Sequence, residues 1–251
     1  MTSQNASRPD FTPDAYIERL DALADRLHQQ GTLVLQMVED GFDHLFAPGD
    51  DGLAALAAAE DSVDHADVAI EKAAVELLAA ATAAACPLPD AQLRRLLTVV
   101  KVNNELERIA DEAVGCATLG QRLADTGQPP NNVPPNTFRV LTNSVVGLVR
   151  DATKALINGD ARLARIVLQS DDAVEAFKAT LMRDAEARLR EGTLDATAAF
   201  ILVEITTAAH AIAEHSANIA EQLLYLHTGT IVRHIEGTWQ EVDVGGQGGE
   251  Q

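Results

Sequence analysis

The chain has 251 residues, of which 47% are hydrophobic and only 4% aromatic, and its formal net charge at pH 7 is −19. This length allows one large or two small hydrophobic cores. Abundant alanine, leucine and glutamate favour helix, so the composition predicts an all-α protein. The acidic balance argues against nucleic-acid binding, which depends on clustered lysine and arginine. It fits metal cations or a basic partner segment.

The sequence shows no disulfide framework and no membrane segment. Cys86 and Cys116 lack C-x-x-C spacing, so we expect buried, reduced thiols. The stretch from Met1 to Pro9 is polar and lacks the apolar region of a signal peptide. No uncharged apolar run approaches the ~20 residues that a membrane span needs. We therefore expect a cytoplasmic protein without a membrane span.

Apolar residues recur at steps of three and four along six segments, which predicts six long helices. In chain order they are expected at residues 13–47, 51–84, 91–125, 138–158, 160–191 and 194–228. Thr12, Asp90 and Thr193 are the predicted N-caps, and Pro13 suits a first helical position. Helices of this length with short connections must pack antiparallel.

One proline-rich segment divides the chain, because residues 126–136 contain four prolines and three asparagines. It separates a first three-helix repeat at 12–125 from a second at 137–229, and residues 230–251 are expected to form a disordered tail. Few core contacts are expected to cross this linker.

The third and sixth helices carry related patterns. Glu107 and Asp111 lie four residues apart, so both carboxylates leave the same side of the helix, at the edge of its apolar stripe. When Asp111 is laid on Glu214, the two stripes coincide and Glu107 falls on His210. The sequence thus predicts two tandem three-helix bundles from an internal duplication.

These residues are candidate metal ligands. Asp61 and Asp64 of the second helix could complete the first site from the facing helix, and they have counterparts in Asp172 and Glu175. An all-carboxylate site selects Mg²⁺, Mn²⁺ or iron, whereas an imidazole in the second site favours Mn, Fe or Zn. The alternatives are an exposed acidic helix edge and, for His210, a structural histidine. Nothing in the sequence matches a catalytic motif.

The motif from Asn104 to Asp111 resembles the D-L-E-R-I-G-D signature of the PhoU family of phosphate-transport regulators. The stretch from Asn218 to His234 is similar to that family's N-I-A-E…Y-x-x-T-G-x-x-V-R-H ending. The resemblance implies two three-helix bundles whose E-x-x-x-D motifs face multinuclear metal clusters. Glu107 and Asp111 match the first motif, and His210 and Glu214 occupy the second motif's positions with other residue types.

The resemblance also implies a function. Members of the family act in the cytoplasm between a phosphate ABC importer and a sensor histidine kinase, and they hold down phosphate-starvation signalling. We therefore expect a regulator that binds proteins and metal and is not an enzyme. A metal-binding helical enzyme or storage protein, and a scaffold with vestigial metal sites, stay open as alternatives. The metal and the oligomeric state, including a homodimer, also stay open.

Overall fold

The computed structural model describes residues 11–127, 134, 136–235 and 238–242, and these form six long helices followed by a β-hairpin. The elements are α1 (Pro13–Phe46), α2 (Asp50–Ala83), α3 (Asp90–Asp125), α4 (Asn136–Asn158), α5 (Ala161–Arg190), α6 (Ala196–Thr228), β1 (Ile231–Ile235) and β2 (Thr238–Val242). The predicted all-α class is confirmed, and every predicted helix end lies within two residues of the observed one.

Polar caps explain where several helices begin. The Oγ1 atom of Thr12 accepts a hydrogen bond from the backbone N–H of Ala15, as predicted for α1. The predicted cap Asp90 is instead the first residue of α3, which follows Pro89 without a side-chain cap. The predicted cap Thr193 is also wrong, because Asp195 accepts the bond that begins α6. Thr193 lies in the preceding turn, where its hydroxyl donates to a backbone carbonyl of α5.

The helices form two three-helix bundles that pack along a shared interface. In the first bundle α1 contacts α2 and α3, and in the second α6 contacts α4 and α5. The most extensive helix–helix contact in the molecule joins α3 to α6, and α1 also packs on α4. α2 packs on α1 and α3, while α5 packs on α4 and α6, so these two helices flank the four that meet at the interface.

Both bundles share one continuous hydrophobic core. The expectation that few core contacts cross the linker is therefore wrong: small and aliphatic residues of α3 and α6 bury each other along the length of the interface. Two ion pairs also cross between the bundles: Arg122 of α3 pairs with Glu204 of α6, and Arg150 of α4 pairs with Glu39 of α1. The linker connects two parts of a single packed unit.

Two glycines let α1 approach α3 closely within the first bundle. A Cβ atom at Gly41 would lie 2.7 Å from the carbonyl oxygen of Ala113, and one at Gly120 would lie 2.8 Å from the Cα atom of Leu45. Both distances are below normal van der Waals contact, so the helix backbones touch where a side chain would keep them apart. This packing fixes the register of α3 against the rest of its bundle.

The predicted disordered tail is wrong for residues 231–235 and 238–242. Here β1 and β2 pair antiparallel, with Ile231 opposite Val242 and Ile235 opposite Thr238, and β1 packs on α6. β-branched residues are three of the five in β1, and two β-branched residues and a tryptophan are three of the five in β2, and these residue types favour the extended backbone. Residues 236, 237 and 243–251 of the predicted tail lie outside the described part of the chain.

Among the described residues, α6 is the one helix whose length and composition would let it cross a membrane. Its most apolar 18-residue window has a mean hydropathy of 1.6, but 61% of that window is buried inside the protein. The apolar character of α6 is accounted for by its position between α3, α4 and α5 in the core.

Candidate metal centre

Three carboxylates converge where α2 crosses the edge of α3. One oxygen from each of Asp64, Glu107 and Asp111 lies within 4.8 Å of the others, and they are the one group of three potential metal ligands among the described residues. Glu107 and Asp111 meet because they are one helical turn apart. Asp64 joins them because its neighbour Val63 is fully buried, which turns the next side chain toward the edge of α3.

The cluster is electrostatically suited to a cation. Partial burial raises the pKa of Glu107, and the nearby carboxylates, Asp111 foremost, raise it further. Partial burial likewise raises the pKa of Asp111, and Asp64 adds to the effect. Without a cation the ionised groups repel each other, and a bound cation would turn that repulsion into attraction. Three carboxylate donors fit a hard cation of the Mg²⁺ or Mn²⁺ type, or iron.

The acidic surface extends beyond these three residues. Partial burial raises the pKa of Glu60, with contributions from Asp111 and then Asp64. The predicted ligand Asp61 is exposed on α2 and lies outside the group of three, and its charge contributes to the raised pKa of Glu60. The structure therefore brings Asp64 to Glu107 and Asp111, and it leaves Asp61 at the periphery.

Asp67 is a further member that the sequence analysis missed. Partial burial raises its pKa, and Glu71 and Asp64 add to the shift. The side-chain amide of Asn103, which is 1% exposed, donates to a carboxylate oxygen of Asp67 at 2.6 Å and to its backbone carbonyl at 3.1 Å. Asn103 is one turn before Glu107 and is a polar residue on the apolar stripe of α3. That position was the signal in the sequence that could have indicated a buried polar contact next to the cluster.

In the second bundle His210 and Glu214 also lie together at the edge of α6. The Nε2 atom of His210 is 2.6 Å from a carboxylate oxygen of Glu175, and its Nδ1 atom is 3.4 Å from one of Glu214. The ammonium of Lys178 is 3.3 Å from the same Nδ1 atom. The predicted pair therefore lies beside Glu175 and Lys178 of α5, and Lys178 is a neighbour that the sequence analysis did not consider.

A second polar network joins the two bundles. One carboxylate oxygen of Glu105 is 2.7 Å from Nδ1 of His215 and accepts a 3.0 Å hydrogen bond from the side-chain amide of Asn218. Burial pushes the pKa of Glu105 upward, but the hydrogen bonds from His215 and Asn218 outweigh it, and the net shift is downward. Glu105 and Asn218 belong to the two motifs that carry the family resemblance, so these motifs meet in space.

This network lies in a cleft of about 880 Å³ between α2, α3 and α6. Five carboxylates line the cleft together with one lysine: Asp67, Glu71, Glu105, Glu214, Glu221 and Lys101. Asp67 lies next to the cluster of Asp64, Glu107 and Asp111, and Glu214 lies next to His210 in the second bundle. The cleft therefore connects the two candidate sites across the bundle interface.

Comparison with known proteins agrees with this architecture. The PhoU domain model matches residues 27–119 and 138–223, one match in each bundle. The phosphate-specific transport system accessory protein PhoU homologue of Pseudomonas aeruginosa is 29% identical over 232 residues, covering 92% of this chain and 93% of that protein. PhoU homologue 1 of Thermotoga maritima is 25% identical over 197 residues, covering 78% of this chain and 82% of that protein.

Two solved structures of PhoU proteins share this fold. The crystal structure of PhoU from Pseudomonas aeruginosa superposes with a TM-score of 0.77 at 25% identity, covering 86% of this chain and all of that one. The phosphate transport system regulatory protein PhoU from Streptococcus pneumoniae has the same fold, with a TM-score of 0.75 over 87% of this chain and 99% of that one.

The fold and the site together define the class of protein. It is a helical protein of two paired three-helix bundles, with a carboxylate cluster on the first bundle and no catalytic motif recognised in its sequence. Within that class, the match in both bundles identifies the family: the chain belongs to the PhoU family.

Proposed function

We propose that this protein is a cytoplasmic regulator of phosphate uptake and phosphate-starvation signalling, and that it acts by binding other proteins. The observation that carries the proposal is the family match in both bundles, together with full-length relatives named as accessory proteins of phosphate-specific transport systems. The absence of any motif for catalysis in the sequence is in keeping with a regulatory role.

The partners we propose are a phosphate ABC importer and a sensor histidine kinase, as the family resemblance implies. The surface that would meet them is strongly acidic, with a chain charge of −19, so basic segments of those partners are the complementary chemistry. The cleft between the bundles places five carboxylates along one groove and offers a concave acidic surface for such a segment.

Metal is the second part of the proposal. Asp64, Glu107 and Asp111 would hold a divalent or trivalent cation, and Asp67 and Glu60 would add negative charge around it. When bound, the cation supplies charge neutralisation between α2 and α3. The protein's own contribution is to hold three carboxylates close together on two helices whose buried residues prevent them from moving apart.

Phosphate signalling in the host tests the regulatory role. We expect deletion of the gene to switch on a phosphate-starvation reporter in phosphate-rich medium, and plasmid-borne wild type to silence it again. A tagged copy should co-purify with the importer's ATPase or with the sensor kinase. A deletion strain with unchanged reporter activity and unchanged phosphate uptake would contradict the proposal.

Metal analysis of protein purified without chelator tests the metal centre. The Glu107→Ala plus Asp111→Ala variant should lose the metal of the first repeat and keep its helical content. A matched control, Glu18→Ala plus Glu76→Ala, removes two exposed carboxylates elsewhere and should keep the metal. Equal metal content in both variants would show that the cluster is not the site.

A further inference from the structure

The two bundles place equivalent residues at their acidic edges, and at one of these positions the charge reverses its sign. Val63 and Val174 are both buried at the same position of α2 and α5, so Asp64 corresponds to Glu175 and Asp67 corresponds to Lys178. The ammonium of Lys178 therefore stands where the first bundle has a carboxylate.

The contacts of Lys178 are those of a cation held by the site. Its Nζ atom lies 3.6 Å from a carboxylate oxygen of Glu175 and 3.3 Å from Nδ1 of His210. A carboxylate oxygen of Glu214 is also 3.4 Å from that Nδ1 atom. Lys178 is partly buried, with 23% of its side chain exposed, and the His210 ring is only 11% exposed.

Both ring nitrogens of His210 are occupied by these neighbours. The Nε2 atom is 2.6 Å from a Glu175 oxygen, the shortest of the three contacts, so the hydrogen is assigned to Nε2. In that tautomer Nδ1 accepts a hydrogen bond from the ammonium of Lys178, and the Glu214 oxygen at 3.4 Å is a neighbour of Nδ1 and not its hydrogen-bond partner. A metal needs a nitrogen lone pair, and this arrangement leaves none directed at a vacant position.

We propose that Lys178 occupies the second site in place of a metal, so that this protein carries a metal centre in its first bundle only. The ammonium supplies a positive charge beside Glu175 and His210 as a cation would, but as a fixed part of the chain. The proposal replaces the sequence-based prediction that His210 and Glu214 bind metal. It rests on the proposed function in one respect: it takes the cluster of Asp64, Glu107 and Asp111 as the metal site with which the second bundle is compared.

The test removes the first site and then removes the lysine. The parent protein carries Glu107→Ala plus Asp111→Ala, and Mn²⁺ binding is measured by titration with electron paramagnetic resonance on chelator-stripped protein. We expect the parent to bind no Mn²⁺ at the second site. Adding Lys178→Asp should produce Mn²⁺ binding on the order of 100-fold tighter than the detection limit of the parent's titration, because a positive charge beside the ligands becomes a further ligand.

A matched variant controls for net charge. Lys72→Asp makes the same charge change on α2, where the exposed lysine lies away from the second bundle, and it should leave Mn²⁺ binding at the parent's level. Adding His210→Ala to Lys178→Asp should abolish the gain. A folded Lys178→Asp variant that binds no more Mn²⁺ than the Lys72→Asp control would overturn the proposal.

A second readout covers the case in which Lys178→Asp does not fold. In the parent with Lys178 intact, ¹⁵N NMR of the histidines should show no change at His210 when Zn²⁺ is added. A Zn²⁺-dependent shift of His210 in that protein would also overturn the proposal. Failure of the wild-type first cluster to bind metal is a separate result, because every protein compared here lacks that cluster.

Discussion

Glu105 is expected to hold the two bundles together, and replacing it by alanine should destabilise the whole protein. Its side chain is 17% exposed, as is that of His215, and a single oxygen receives contacts from His215 and Asn218. Hydrogen bonds to a charged group contribute about 1.5–3 kcal/mol each, and donors left unpaired in a partly buried place add to the loss. We expect Glu105→Ala to lower the free energy of unfolding by about 2–4 kcal/mol.

For a chain of this size that loss corresponds to a fall in Tm of roughly 5–12 °C, measured by circular dichroism at pH 7. The effect should depend on pH with a definite sign. Because the folded-state pKa of Glu105 is lowered, its stabilisation is complete above the ordinary carboxylate pKa near 4 and is lost as the pH falls through the lower, folded-state value. The gap between wild type and variant should therefore be widest near neutral pH and close in acid.

Two comparisons make this prediction sharp. Glu76→Ala removes an exposed carboxylate of α2 and should change Tm by no more than a degree or two, as most surface substitutions do. In a double-mutant cycle, Asn218→Ala should cost much less once Glu105 is already alanine. Equal losses for Glu105→Ala and Glu76→Ala, or a loss that does not vary with pH, would refute the role of Glu105 as a contact between the bundles.

The remaining predictions concern the acidic cluster, the linker and the helix contacts. In metal-free protein, Glu107→Gln plus Asp111→Asn should raise the free energy of unfolding at pH 7 by about 0.5–1 kcal/mol, since the groups are largely solvent-screened. Their pKa values are raised in the folded state, so this gain should shrink as the pH falls toward the ordinary carboxylate range, and urea titrations at several pH values would check it. Cleavage at a protease site inserted in residues 126–136 should leave the two halves associated on gel filtration, whereas separation into two independently folded halves would contradict the shared core. Gly41→Ala should cost about 1–3 kcal/mol by forcing α1 from α3, while Gly115→Ala, with nothing within 4 Å of its Cβ position, should gain up to about 1 kcal/mol from helix propensity. If thermal unfolding shows that both variants change the free energy of unfolding in the same direction, the close contact between α1 and α3 is refuted.

The local pattern of the sequence determined the helices and part of the first site. The 3.6-residue period is a property of a single helix, so the apolar stripes, Pro13 and the glycines at helix ends predicted the six helices within two residues. For the same reason Glu107 and Asp111 could be paired from spacing alone. The duplication also followed from the sequence, because equivalent stripes repeat in the same order.

The tertiary structure decided which helix faces meet, and the sequence by itself did not. Asp64 rather than Asp61 joins the cluster because Val63 is buried in the core and so sets which side of α2 faces α3. Glu105 contacts His215, which is 110 residues away in the sequence. Lys178 contacts His210 only because α5 packs on α6 in that register. Such contacts depend on the fit of whole helix surfaces, to which many small residues each contribute a little, whereas periodicity reports only which face of one helix is buried.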